Sequence, residues 1–161
     1  MRINTNRKLA LRVLSTAALM AMVSSIATAA FADTYDLTKG SVTVSAKSNG
    51  TYVTQKDADG NYVKNSNNVE LNNYKDETPV TLTSKGTETD NTASIYTDKG
   101  VSTTVTLDNV NIDASNTDEA AIYTQGKVTL ELDGNNTLTG GEGHAALEKY
   151  SAASGNVSDN N

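Results

Sequence analysis

The chain has 161 residues and is acidic: 13 basic against 19 acidic side chains give a net charge of −6, with one histidine, one proline and no cysteine or tryptophan. An acidic surface repels phosphate backbones and anionic headgroups, which excludes nucleic acid and an anionic membrane as partners. Without cysteine there is none of the disulfide framework that small exported domains often use, so backbone ladders and aliphatic packing must hold the fold.

Residues 1–32 are a different polymer from the rest. Arg2, Arg7, Lys8 and Arg12 form a basic head, Val13 to Ile26 is a mostly apolar run, and Ala30-Phe31-Ala32 has the small-x-small pattern of a signal-peptidase site. The run is short and carries Ser15, Thr16, Ser24 and Ser25, whereas a spanning helix takes about 20 predominantly apolar residues. A signal peptide cleaved after Ala32 is expected, and with it a secreted or cell-surface location. The remaining 129 residues keep nine lysines (13 basic residues less the leader's four) against all 19 acidic residues, a net charge of −10. Seven tyrosines are their only aromatics.

Residues 33–79 read as an N-terminal β cap. Asp36 to Lys47 predicts a strand, because Val42, Val44 and Ala46 alternate with Thr43, Ser45 and Lys47. Tyr52 to Gln55, a turn at Asp57-Ala-Asp-Gly60, and Tyr62 to Lys64 predict a hairpin, since Asp-Gly accepts the positive φ of a tight turn. An Asn-rich stretch and Pro79 close the segment.

Residues 80–149 repeat themselves. Thr92-Ala-Ser-Ile-Tyr-Thr97 returns as Glu119-Ala-Ala-Ile-Tyr-Thr124 and, more loosely, as His144-Ala-Ala-Leu-Glu-Lys149. Thr104-Val-Thr-Leu-Asp108 matches Thr129-Leu-Glu-Leu-Asp133, and Asn109-Val-Asn-Ile112 matches Asn135-Asn-Thr-Leu138. Within these copies Val101, Thr103, Val105 and Leu107 point one way, as do Val128, Leu130 and Leu132. A β-rich period of 27 residues (Ile95 to Ile122) and then 25 (Ile122 to Leu147) predicts an all-β solenoid of about three coils. Glycines mark its corners. Tyr150 to Asn161 is small, polar and aperiodic, and predicts a disordered tail of a truncated or longer chain whose further coils would extend the stack.

The order of leader, Gly40-Ser-Val-Thr-Val44 strand, Asn-rich cap, then Val105-Thr-Leu-Asp-Asn-Val-Asn-Ile112 and Leu130-Glu-Leu-Asp-Gly-Asn-Asn-Thr-Leu138 resembles a known group. It is similar to secreted carbohydrate-binding, adhesin-like surface proteins of Gram-positive bacteria that fold as right-handed parallel β-helices. The resemblance runs from about Asp36 to Leu147. It implies a short right-handed parallel β-helix and a non-catalytic role in binding extracellular or cell-wall polysaccharide, sometimes with calcium.

Three groups of residues carry the candidate chemistry. Tyr96 and Tyr123 each follow an inward isoleucine, so both are expected to point outward in the same register, with Glu148 next in line. Rungs about 4.8 Å apart would make them a short aromatic ladder. Such a ladder either presents a carbohydrate-binding face with a carboxylate acceptor beside it, or only adds cross-strand stacking to the sheet. Asp108 and Asp133 are expected to stack one rung apart, where they either share a calcium ion or cap turns through local N–H groups. Asp57-Ala-Asp-Gly-Asn61 lacks the distal glutamate of a calcium loop and reads as a turn. His144, alone in a Gly-rich corner, reads as a solvated turn residue, and the Asn clusters as turn formers.

An enzyme is the rival class. Pectate lyases share the β-helix but resemble one another in using an arginine base, and no arginine remains after the leader. A hydrolase needs two carboxylates about 5–10 Å apart, one of raised pKa, and Asp113, Asp118 and Glu119 lie on a loop that reads as exposed. The expectation is a non-catalytic surface domain that binds carbohydrate. A stalk or spacer with no ligand is the alternative, and it would scatter its exposed tyrosines rather than collect them on one face.

Overall fold

Alternation of branched aliphatic and polar residues is expressed as strands throughout the computed structural model, which describes residues 33–77 and 79–150. The expected leader and cleavage site at 1–32, and the expected tail from 151 on, lie outside these residues; Tyr150, grouped with the tail above, ends a strand. The strands are β1 (Asp33–Asp36), β2 (Ser41–Lys47), β3 (Gly50–Lys56), β4 (Tyr74–Asp76), β5 (Val80–Thr83), β6 (Glu88–Thr89) and β7 (Ala93–Thr97). They continue as β8 (Ser102–Asp108), β9 (Asn111–Asp113), β10 (Ile122–Gln125), β11 (Lys127–Asp133), β12 (Thr137–Thr139) and β13 (Leu147–Tyr150). Among the described residues there is no α-helix, only a 3₁₀ turn at Leu37–Lys39.

Three sheets result. One is four-stranded and wholly parallel, in the order β1-β5-β8-β11; a second, β12-β9-β6, is also wholly parallel. The third is six-stranded, β13-β10-β7-β2-β3-β4, and parallel except where β3 and β4 pair antiparallel at one end. The chain visits these sheets in a fixed order: β5-β6-β7, then β8-β9-β10, then β11-β12-β13. That recurrence is solenoid-like. The parallel pairing also reaches back into the segment read as a cap, because β1 pairs with β5 and β2 with β7.

The core lies between the three sheets, built from in-register rows. Tyr35, Leu82, Leu107 and Leu132 form one row; Val42, Ala93, Ile122 and Leu147 form another; Thr89, Ile112 and Leu138 a third. Leu82, Ile95, Leu107, Ile112 and Ile122 are fully buried. At about 1.5–3 kcal/mol for each large aliphatic side chain removed from water, such rows replace the missing disulfides. Tyr35 also lies inside and donates its hydroxyl to Asp76 Oδ2 at 2.8 Å.

The end of the stack at β3 is closed by two loops of one design. Asp57 Oδ1 accepts from the N–H groups of Asp59 and Asn61, and Asn65 Oδ1 accepts from those of Asn67 and Val69. Gly60 and Asn68 occupy the same positive-φ position in the two loops. Between them Gln55, Val63 and Leu71 bond in a ring: Gln55 N–H to Leu71 O, Leu71 N–H to Val63 O, Val63 N–H to Gln55 O. The Asp57 carboxylate thus forms a turn, and Asn65 plays the same part eight residues later.

Candidate functional site

The outer face of the six-stranded sheet gathers the tyrosines. Residues facing outward alternate with the buried Val42, Val44, Ala46, Ala93, Ile95 and Ile122. One outward row runs Tyr52, Ser45, Tyr96, Gln125, Tyr150; its neighbour runs Thr54, Thr43, Ser94, Tyr123, Glu148. Four of the seven tyrosines therefore share one face, spread over five strands or about 19 Å at 4.8 Å per strand. Tyr35 is inside the core, and Tyr62 and Tyr74 belong to the loops and strand at the closed end.

Tyr96 and Tyr123 touch, with ring centroids 5.8 Å apart and planes inclined at 49°. Their register differs from the one the repeats indicate. Ile122 pairs with Ala93 rather than Ile95, so Tyr123 stands beside Ser94 and Tyr96 beside Gln125. The rings meet diagonally, which long aromatic side chains can do across a sheet. An even shift of two residues leaves both on the outward face. The shift sets small Ala93 between Val42 and Ile122 and leaves Ile95 between Val44 and Thr124.

Tyr123 pairs directly with Glu148, as the repeats indicate. The Tyr123 phenol is pushed above its ordinary value, first by partial loss of water and then by Tyr96, Tyr150 and Glu148 beside it. It stays a neutral hydroxyl, able both to donate and to accept.

The wall of the site comes from corners between the smallest sheet and the six-stranded one. The corner before β7 contributes Thr92, the longer corner before β10 contributes Asp118 and Glu119, and the corner before β13 contributes His144. These corners are tied to one another. Thr92 Oγ1 donates to Glu119 Oε2 at 2.8 Å, and Gly141 N–H donates to Glu119 O at 2.8 Å. Gly141 has to be glycine: a Cβ there would run into the Thr117 and Glu119 carbonyls. His144 then stands with Nδ1 3.0 Å from Glu148 Oε1 and Nε2 3.7 Å from Asp118 Oδ1. Glu148 Oε1 also accepts the Ala145 N–H at 3.1 Å, which fixes its carboxylate at the foot of the wall.

The result is an open groove of about 450 Å³ floored by Ser94, Tyr96, Tyr123 and Gln125 and walled by Asp118, Glu119, His144 and Glu148. All three residues singled out as a carbohydrate-binding set, Tyr96, Tyr123 and Glu148, lie in it. Sequence reasoning missed the wall. His144 was read as a solvated turn residue, and nothing in the linear order says that two corners of unequal length stack beside the aromatic pair.

Asp108 and Asp133 pair in register at the end of β8 and β11, as expected. Asp108 Oδ1 accepts from the Asn109 side-chain amide at 2.6 Å. Calcium takes six to eight oxygens, and among the described residues no cluster of three acidic or imidazole side chains could hold a metal ion. The Asn clusters serve corners: Asn136 Nδ2 donates to Leu107 O and Asp133 O while its Oδ1 accepts Val110 N–H, stitching β8 to β11 at their ends.

Set against known proteins, the chain matches no family model, no curated protein and no solved structure.

Proposed function

We propose that the tyrosine-bearing face of the six-stranded sheet binds carbohydrate, and that the protein is a non-catalytic, exported surface domain whose ligand is an extracellular or cell-wall polysaccharide. The observation that carries this reading is the collection of Tyr52, Tyr96, Tyr123 and Tyr150 on one outward face beside a walled groove. Sugar rings have apolar faces that lie on aromatic rings and hydroxyls that donate to carboxylates. The groove offers both, with Tyr96 and Tyr123 as the floor and Glu148, Glu119 and Asp118 as acceptors. A spacer has no use for such a concentration. A hydrolase would need an enclosed acid, and Asp118 has a side chain 97 % exposed. The fixed visiting order of the three sheets supports a finer reading of the fold as a short parallel β-helix, right-handed by the rule that governs parallel crossovers.

The test is calorimetric titration with a panel of neutral and charged polysaccharides. Saturable binding is expected, weakened about tenfold for each ring removed in Tyr96→Ala and Tyr123→Ala, or about 1.4 kcal/mol each. Binding that survives the double substitution sinks the assignment of this face.

A further inference from the structure

Among the described residues, the stack ends on β11, β12 and β13, whose far edges pair with no other strand. The core rows run out there. Leu107 is fully buried but Leu132, next in its row, is 70 % exposed; Ile122 is fully buried but Leu147 is 48 % exposed. Val128, Leu130 and Leu138 are only partly covered. At the other end, β3, β4 and their two loops cover the six-stranded sheet. An aliphatic end face bordered by three open strand edges is a template for pairing with another chain. The long edge, β11, has neither proline nor glycine within it.

The sequence of β11 says what fits. Lys127-Val-Thr-Leu-Glu-Leu-Asp133 is self-complementary when read against itself in the opposite direction. With Leu130 at the centre, Lys127 faces Asp133 of a second copy, Val128 faces Leu132, Thr129 faces Glu131, and Leu130 faces Leu130. By symmetry the Lys–Asp pair occurs twice and the Val–Leu pair occurs twice. Parallel pairing of the same strand in register sets Lys127 on Lys127, Glu131 on Glu131 and Asp133 on Asp133, and like charges directly opposite each other destabilise a sheet.

We propose that this end is an interface between two copies of the chain, joined by antiparallel pairing of β11 with β11 about a two-fold axis at Leu130. Such an interface is isologous and closes at two copies, so it buries the aliphatic face without starting a fibre. The groove opens on the outer face of the six-stranded sheet, with His144 and Glu148 on the terminal coil beside this interface.

The chain has no cysteine, so single substitutions give a clean test. Residues directly opposite in an antiparallel pair have Cα atoms about 4.5–5.5 Å apart, within disulfide reach. Leu130→Cys should cross-link to its copy under mild oxidation. Val128→Cys should not, because its own copy lies more than about 13 Å away along the strand. Sedimentation velocity should show a dimer for the purified protein. Lys127→Asp or Asp133→Lys should each weaken it at least tenfold, and the double exchange Lys127→Asp/Asp133→Lys should restore it. The β signature in circular dichroism checks that each variant is folded. A protein that stays monomeric up to about 100 μM, a dimer indifferent to both charge reversals, or cross-linking at residue 128 as efficient as at 130 would each overturn the proposal.

Discussion

Gln55 shows how much a single polar side chain can decide. It is 1 % exposed in the row that continues as Val42, Ala93 and Ile122, a place where an aliphatic residue would fit. Its Nε2 donates to Asp36 O at 2.7 Å and to Gly40 O at 2.9 Å, tying β3 to both ends of the 3₁₀ turn. Gln55→Leu strands those two carbonyls, and urea unfolding should show a loss of about 1–3 kcal/mol. Tyr35 gives a pH signature. Burial, and then its hydrogen bond to Asp76, push its phenol well above the ordinary 10.0. The folded state therefore holds this proton more tightly than the unfolded chain does. Its contribution to stability is full below pH 10 and is lost as pH rises from there towards the raised value. Stability measured between neutral pH and about pH 11 should fall steeply in the native protein and less in Tyr35→Phe. An equal fall in both would show that Tyr35 is not the group responsible.

At the scale of elements, what could be read in the sequence and what could not divide at the corners. β8 and β11 are the same length, and their matched ends at Asp108 and Asp133 pair as the repeats indicate. The strand in the third copy at Leu147 is likewise found where the repeats set it. The β7–β10 register was not legible, because the connections around it differ. Three residues, 90–92, link β6 to β7, but eight, 114–121, link β9 to β10; four residues precede β8, but Gly126 alone precedes β11. A fixed period aligns Ile95 with Ile122, whereas these connections bring Ala93 opposite Ile122. The same unequal corners build the groove wall, which is why Tyr96, Tyr123 and Glu148 read as one set while His144 read as a turn residue and Asp118 as an exposed loop carboxylate. Gly141 ties that wall together, its N–H donating to Glu119 O. Gly141→Ala sets a Cβ against the Thr117 and Glu119 backbone, so it should weaken polysaccharide binding by about tenfold and lower the thermal midpoint as well. A large fall in that midpoint with binding intact would mean the corner supports the fold and not the site.

The whole molecule has two unlike ends and one decorated side. At the end closed by β3 and β4, core truncation should be severe: Leu82→Ala, fully buried, is expected to cost about 2–5 kcal/mol. At the open end Leu132→Ala should change the stability of the monomer little, because its side chain is mostly in water, yet should weaken pairing of two copies. The side between the ends carries the tyrosines, and with no tryptophan in the chain and its one phenylalanine, Phe31, outside the described residues, every described aromatic ring is a tyrosine. That makes the ring resonances of the seven tyrosines a direct reading of where a ligand sits. The decisive measurement is their chemical-shift change during titration with a polysaccharide that binds. Tyr96 and Tyr123 should move most, Tyr52 and Tyr150 along the same face with them, and the buried Tyr35 should stay still. Saturable binding that shifts Tyr62 and Tyr74 instead, or none of the seven, would contradict the account.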